Sequence, residues 1–396
     1  MDFYKTDINK SDYVVATYSV KTTDADLKKA SWELAIGQSV GNPHQRSQWE
    51  TDELFEKHSC IILHNEDELV GKTQGEIKIA FPVINLDWAS DGISQLLCQL
   101  MGGQMDIKSF DSCRLIDLEI PNIIKRKYFL GPRHGIKGLR TYVGQHESPL
   151  SGAIIKPKTG LTANTLLQVV KDLYEGGVDF IKEDEIMSNP AFCSIEERVP
   201  VVMNWLNKQE RKVVYAVCIT GDHDHILKRA WQVEALGGNA IHINHWAGLG
   251  VYNAVRKLDT GLFIHFQKSG DRVFTDPRHN FGIDWNVICK IATMVGVDTI
   301  HIGMLNGYSN DKESEIKKVF KTVTQGNTMP TLSCGMHPGL VHSTIGKVGS
   351  DFIANVGGAI HSHPGGTLAG AKAMRQALDD TPGPEFRQAV NKWGLQ

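Results

Sequence analysis

From about residue 151 onward, short apolar runs alternate eight times with segments of helical spacing. The runs are "GAIIKPK" (152–158), "DFIKEDE" (179–185), "VVYAVCITG" (213–221), "AIHINH" (240–245), "LFIHF" (262–266), "TIHIG" (299–303), "TLSCG" (331–335) and "FIANVGG" (352–358). Each has the length of a buried strand and is too short for a free-standing helix. Between them lie segments such as "TLLQVVKDLYE" (165–175) and "HDHILKRAWQVEAL" (223–236), whose apolar residues recur at helical spacing. Gly176-Gly177, Gly237-Gly238 and Gly296 stand where those helices should stop. Eight such units have the size and period of a (β/α)8 barrel. An open dinucleotide-binding sheet would carry a G-x-G-x-x-G turn after its first strand, and none is present.

The first 140 residues have a different rhythm. "YVVATYSV" (13–20), "CIILH" (60–64) and "GEIKIAFPV" (75–83) read as strands, and 24–35 and 90–101 as helices. The expected architecture is α/β: an N-terminal α+β, ferredoxin-like domain over 1–140 and a C-terminal (β/α)8 TIM barrel over 141–396. The segment "GPRHGIKGLRTYVG" (131–144) is expected to carry the chain between them.

Composition narrows the function classes. The net charge is −3 and no basic stripe stands out, so nucleic acid is not an expected partner. Seven cysteines are scattered without CxxC spacing, which predicts free thiols in a reducing compartment. "MDFYKTDINK" lacks the apolar core of a signal peptide. No apolar run approaches the roughly 18 residues that cross a bilayer. A soluble, cytoplasmic protein is expected.

In a (β/α)8 barrel, chemistry sits at the C-terminal strand ends. Here those ends hold Lys156 and Lys158; Lys182, Asp184 and Glu185; His242, Asn244 and His245; His265; His301; Ser333 and Gly335; and Gly357-Gly358. A single polar strand end is usually a solvated loop mouth, but seven at one end of one barrel point to a site. Asp184 and Glu185 are hard oxygen donors suited to Mg²⁺. Lys182, two residues before Asp184, faces the same way. It either pairs with a carboxylate or, after reaction with CO₂, adds a carbamate as a third anionic ligand. Ser333, Gly335, Gly357 and Gly358 let backbone N–H groups approach an anion, and phosphate sites recur after strands seven and eight of this fold.

These segments make the chain recognisable. From about residue 13 to 380 it resembles the ribulose bisphosphate carboxylase (Rubisco) large-subunit family. "GAIIKPKTGL" and "GGVDFIKEDE" resemble that family's first and second barrel strands, and "LFIHF", "IHIG", "LSCGMHPGLV" and "NVGGAIHSHPGG" its strands five to eight. The resemblance implies that Lys182 is the carbamylated lysine and that one Mg²⁺ per site binds it with Asp184 and Glu185. Lys156 and Lys158 are implied to handle protons and substrate oxygens, and His265 and His301 to be active-site histidines. Ser333, Gly335, Gly357 and Gly358 are implied to bind substrate and phosphate. Glu33, in "ELAIGQSVG", is implied to reach a neighbouring subunit's site, so a homodimer or an oligomer of dimers with shared sites is expected.

The chain also departs from the carboxylase pattern. Tyr308, in "GMLNGYSND", stands where a mobile-loop lysine is expected, and Phe266 where an arginine should bind a second phosphate. "GQSVGNP" replaces a threonine-tryptophan pair, and the region "LMGGQMD" lacks an asparagine given by the partner. The pattern resembles a form IV Rubisco-like protein. "MHPGLV", "GGAIHSHP", "GEIKIAFPV" and "GPRHGIKGLR" are similar to the 2,3-diketo-5-methylthiopentyl-1-phosphate enolases of methionine salvage. Those enolases have a lysine base near the position of Gly103-Gln104, absent here, and lack the lysine kept here as Lys158. The leading expectation is Mg²⁺-dependent enolisation or keto-enol isomerisation of a phosphorylated sugar derivative. The alternatives are a decarboxylase of a 3-oxo sugar-acid phosphate, a true carboxylase, and a non-catalytic binding or regulatory protein.

Overall fold

The structure, a computed structural model, describes residues 3–308 and 311–396. The chain forms two compact units: Met1–Phe129 with Gly270–Ile291, and Leu130–Ser269 with Ala292–Gln396. Its strands in chain order are β1 (Tyr13–Thr22), β2 (Ile61–Ile62), β3 (Gln74–Pro82), β4 (Phe110–Glu119), β5 (Leu150–Ile154), β6 (Phe180–Lys182), β7 (Val214–Cys218), β8 (Ala240–Asn244), β9 (Phe263–Gln267), β10 (Phe281–Ile283), β11 (Thr299–Gly303), β12 (Met329–Leu332) and β13 (Ile353–Val356).

The first unit holds one five-stranded sheet in the order β10-β4-β1-β3-β2. β1 lies between β3 and β4, antiparallel to both, and β10 joins β4 in parallel. Helix Leu27–Gly37 is started by Asp26, whose carboxylate accepts the Lys29 N–H at 2.9 Å, and it buries Leu27, Ala30 and Leu34. β4 is not legible in the sequence, because Asp111, Ser112, Arg114 and Asp117 interrupt its apolar pattern. Arg114 is buried because its guanidinium serves the backbone. It donates to the carbonyls of Thr275, Asp276 and His279 at 3.2, 2.9 and 3.0 Å. Those contacts satisfy a charged group that would otherwise be costly to bury, and they tie 270–291 into this unit.

The second unit is a closed barrel in the order β11-β12-β13-β5-β6-β7-β8-β9, as its eight apolar runs predict, and each neighbouring pair is parallel. Alternate residues fill the interior in layers. The lowest layer contains Leu150, Phe180, Val214, Ala240, Phe263, Met329 and Ile353, all buried. The expected connecting segment 131–144 contains helix Gly135–Val143, whose Leu139 and Val143 close the barrel from below. Burying an apolar side chain of this size contributes about 1.5–3 kcal/mol. The base of the barrel is therefore a packed floor, and polar groups occupy the layers above it.

A typical shell helix is Ala163–Glu175. Thr162 caps it by accepting the Thr165 N–H at 3.3 Å, and Leu166, Val170 and Leu173 are its buried face. It stops at Gly176-Gly177, where Gly177 takes a φ of +85° that a side chain would disfavour. Among the described residues no helix is long and apolar enough to cross a membrane. Among the described residues no disulfide is formed.

Candidate active site

The site begins at the end of β6. Phe180 and Lys182 point into the barrel, whereas Ile181 and Glu183 point outward, as strand alternation requires. Lys182 is wholly buried, and its Nζ donates to the Glu183 carbonyl at 2.9 Å and to Glu185 Oε2 at 3.3 Å. Asp184 accepts from Lys156 Nζ at 2.5 Å and from the Ile186 N–H at 3.3 Å. The outward carboxylate of Glu183 has its own partners. Arg198 grips both oxygens at 2.7 and 2.9 Å, the Cys218 N–H donates at 2.8 Å, and the Tyr215 hydroxyl donates as well. That anchoring sets the strand's parity and aims Lys182 and Asp184 at the barrel axis.

A chain of hydrogen bonds supports Glu185. Gln267 Nε2 donates to Ser269 Oγ at 2.6 Å, and Ser269 Oγ donates to Glu185 Oε1 at 2.6 Å. Asn244 Nδ2 holds the Ser269 carbonyl at 3.0 Å. Burial opposes ionisation of Glu185, but the nearby Lys182 ammonium and the Ser269 hydroxyl outweigh it and bring its pKa down to about 2. Glu185 is thus a carboxylate at neutral pH.

These groups meet in a cavity of about 640 Å³. Of the residues singled out in the sequence, Lys156, Lys158, Asp184, Glu185, His301, Ser333, Gly335, Gly357 and Gly358 line it. Lys182 lies beneath, bonded to Glu185. Two glycines allow close approach. A Cβ on Gly357 would come within 3.2 Å of the Lys156 stem, and one on Gly335 within 3.0 Å of Gly307 and Tyr308 backbone atoms. Gly335 also has a φ of +112°. Tyr308 stands at the cavity rim, and its N–H donates to the Cys334 carbonyl at 3.1 Å. Ser309 and Asn310 of the same segment lie outside the described residues.

Three sequence expectations are placed differently. His265 does not line the cavity. It is buried one layer lower, with Nδ1 2.7 Å from Thr299 Oγ1 and Nε2 3.3 Å from Gln267 Oε1. Gln267, two residues on and on the same face, takes the cavity position. Phe266 points out of the barrel and stacks on Tyr252 at 4.4 Å, so its position does not offer an arginine's place in the cavity. The next cation along the chain is Lys268, buried and 3.8 Å from Asp311. Glu33 is also held elsewhere. It is buried inside the first unit and accepts from Ser109 Oγ at 2.5 Å, with Lys29 and His44 at 3.8 and 3.7 Å, so its carboxylate does not project outward. A stricter count of strand parity would have found Gln267. No local signal marks the Glu33–Ser109 contact, which spans 76 positions.

The histidines in the upper layers are neutral. Burial, reinforced by Lys182, holds His242 and His265 well below the usual imidazole range. Burial, with Lys268 and Lys182, brings His301 down to about 3. Its Nε2 lies 3.8 Å from Cys334 Sγ, and burial keeps that thiol protonated. Positive charge near the carboxylates therefore comes from lysines.

The donor set fits Mg²⁺ on one condition. Among the described residues, no three His, Cys, Asp or Glu side chains gather where they could hold a metal. Asp184 and Glu185 supply two carboxylates, and Lys182 stands where a third donor is required. A carbamate on Lys182 would turn an opposing cation into that oxygen donor.

Comparison with known proteins agrees with this geometry. Residues 135–389 match the ribulose bisphosphate carboxylase large chain catalytic domain, and 2–124 match the N-terminal domain of the same chain. The ribulose bisphosphate carboxylase of Pyrococcus furiosus is 30% identical over 100% of this chain and 97% of its own length. The 3-oxo-isoapionate-4-phosphate decarboxylase of Rhizobium rhizogenes is 32% identical over 77% of this chain and 75% of its own. The solved rubisco-like protein MtnW of Alicyclobacillus acidocaldarius superposes with a TM-score of 0.84 at 27% identity, covering 97% of this chain and 100% of that one. Matched along both halves, and with the barrel in place, the chain belongs to the ribulose bisphosphate carboxylase large-chain family.

Proposed function

We propose that the chain is a Rubisco-like enzyme of form IV character that enolises a phosphorylated sugar derivative in a Mg²⁺-dependent reaction and does not fix CO₂. One observation carries the reading: Lys156, Asp184 and Glu185 open onto the same cavity as Ser333, Gly335, Gly357 and Gly358. One end can hold a divalent ion and move a proton, and the other can receive a phosphoryl group. Carbamylated Lys182, Asp184 and Glu185 would hold Mg²⁺, which supplies a Lewis acid where negative charge develops on the substrate carbonyl. The chain's own residues orient and transfer. The glycine backbone and Ser333 fix the phosphoryl end, which places the reacting carbons. Lys156, as the free amine left when its Asp184-paired ammonium gives up a proton, takes the proton beside the carbonyl; Lys158, in the same wall, and the Lys182 carbamate, beneath it, are the other bases. His301, neutral, offers hydrogen bonding without adding charge.

The rim residue Tyr308 argues against CO₂ fixation, because a phenol cannot supply the loop cation expected of a carboxylase. The test is incubation in D₂O with 2,3-diketo-5-methylthiopentyl 1-phosphate and related ketose phosphates. Deuterium should enter the substrate only with Mg²⁺ present, and no radiolabelled CO₂ should be fixed onto ribulose bisphosphate.

A second reading has specific support. The Rhizobium relative is named as a decarboxylase of a 3-oxo acid phosphate, and Gly103-Gln104 offers no N-terminal lysine base. Loss of CO₂ would reach the same enolate without removing a carbon-bound proton. Release of CO₂ from a 3-oxo sugar-acid phosphate, without isotope exchange into ketose phosphates, would select it. Failure of both reactions, with no Mg²⁺ binding, would leave a non-catalytic protein. A homodimer is proposed as the functional unit, and sedimentation would measure it.

A further inference from the structure

The aromatic wall at the glycine-rich end of the cavity comes from a distant part of the chain. Trp393, the last residue of helix Pro384–Trp393, lines the cavity beside Met336, His337 and Ser362. It is held from several directions. Its ring lies 6.3 Å from the His337 ring, close to parallel, and 6.2 Å from His363. The helix is fastened at its start by Gln376, which donates to Glu385 at 2.6 Å and accepts the Gly383 and Phe386 N–H groups at 3.1 and 3.0 Å. His363 bridges the Glu385 carbonyl and the Gly365 N–H, both at 3.0 Å. Past the helix, Gln396 N–H donates to the Gly339 carbonyl at 3.0 Å. A Cβ on Gly339 would lie 1.9 Å from the Gly394 carbonyl oxygen, so only glycine admits this approach. Three fastenings hold one indole against the cavity.

We infer that Trp393 is a substrate-contacting specificity residue, which covers the phosphoryl-bearing end of a phosphate monoester and keeps water from it. The inference rests on the phosphate reading of the cavity. An anion bound by backbone N–H groups is held more firmly where water is excluded, and an aromatic ring gives a rigid wall for the adjoining carbons. Trp393 supplies this aromatic from the same unit as the cavity. Because this contact is equal in ground and transition states, it should act on binding rather than on turnover.

Calorimetric titration with sn-glycerol 3-phosphate tests the inference. Trp393→Ala should weaken binding about tenfold or more, Trp393→Phe should recover most of it, and Gly339→Ala, which displaces the fastening, should weaken it similarly. Mg²⁺ affinity and thermal midpoint, measured on the same samples, should stay close to wild type for both Trp393 variants. Unchanged monoester affinity in Trp393→Ala overturns the inference while leaving the phosphate reading intact. Equal loss of Mg²⁺ and monoester binding overturns it as well, because Trp393 would then only support the fold. A wild-type protein that binds no monoester defeats both the inference and the reading beneath it.

Discussion

Glu183 and Arg198 form a two-pronged ion pair, 2.7 and 2.9 Å long, with neither side chain exposed to solvent. Arg198 also donates to the carbonyls of Cys193 and Ser188, at 2.8 and 2.5 Å, and so ties down the loop that follows Glu185. Glu183 stands between Lys182 and Asp184 in the chain, and its outward bond is the counterpart of their inward aim. The pair connects packing behind the barrel wall to the geometry of the site in front of it.

Removing one partner strands the other. Arg198→Met leaves a buried, unpaired Glu183 and should lower stability by about 3–5 kcal/mol. The double variant Arg198→Met with Glu183→Leu should recover part of that loss, since neither charge remains. Urea unfolding measures both. A double variant no more stable than the single one would show that the charge is not the cause.

Lys182→Ala should abolish Mg²⁺ binding and lower turnover at least about a hundredfold, with the fold intact. Carbon-13 NMR with labelled CO₂ should show a carbamate resonance in the wild type that the variant lacks. An active, Mg²⁺-replete Lys182→Ala protein would remove the proposed ligand set.

Ser269 touches Glu185 through its hydroxyl and meets the cavity itself. Ser269→Ala removes the donor that orients this carboxylate. Loss of such a support behind a metal ligand typically weakens metal affinity about 10–100-fold. Titration with Mg²⁺ under saturating CO₂ should show that weakening, with little change in thermal midpoint. Unaltered Mg²⁺ affinity would mean Glu185 is held by other contacts.

Buried neutral histidines set an acid limit on stability. His242, His265 and His301 all have pKa values below the ordinary imidazole value when folded, His301 at about 3. The unfolded chain takes up their protons near pH 6.5 and the folded chain does not. Stability from these groups is therefore full above that pH and falls as pH drops below it, through the range toward the folded values. The slope is at most about 1.4 kcal/mol per pH unit for each histidine. Urea titrations at pH 7.5, 6 and 5 should show the decline, and His242→Leu should make it shallower. An unchanged slope in that variant would exclude His242 as a contributor.

Much of this protein was legible in its sequence because the relevant forces are periodic or local. Eight apolar runs separated by helical spacing bury themselves together by closing a parallel sheet, and polar residues at their C-terminal ends then converge. Lys156, Asp184, Glu185, His301, Ser333, Gly335, Gly357 and Gly358 were singled out that way, and all of them line one cavity. Tertiary structure decided the rest. Side chains one position apart face opposite sides of a strand, which puts Phe266 outside and His265 and Gln267 inside, but the closed barrel decides depth: Gln267 reaches the cavity and His265 lies below it. Arg114 recruits 270–291 across more than 160 positions, Glu33 finds Ser109, and Trp393 reaches the cavity through Gly339 and His363. Such contacts depend on where distant segments meet in space, and no spacing pattern along the chain encodes that meeting.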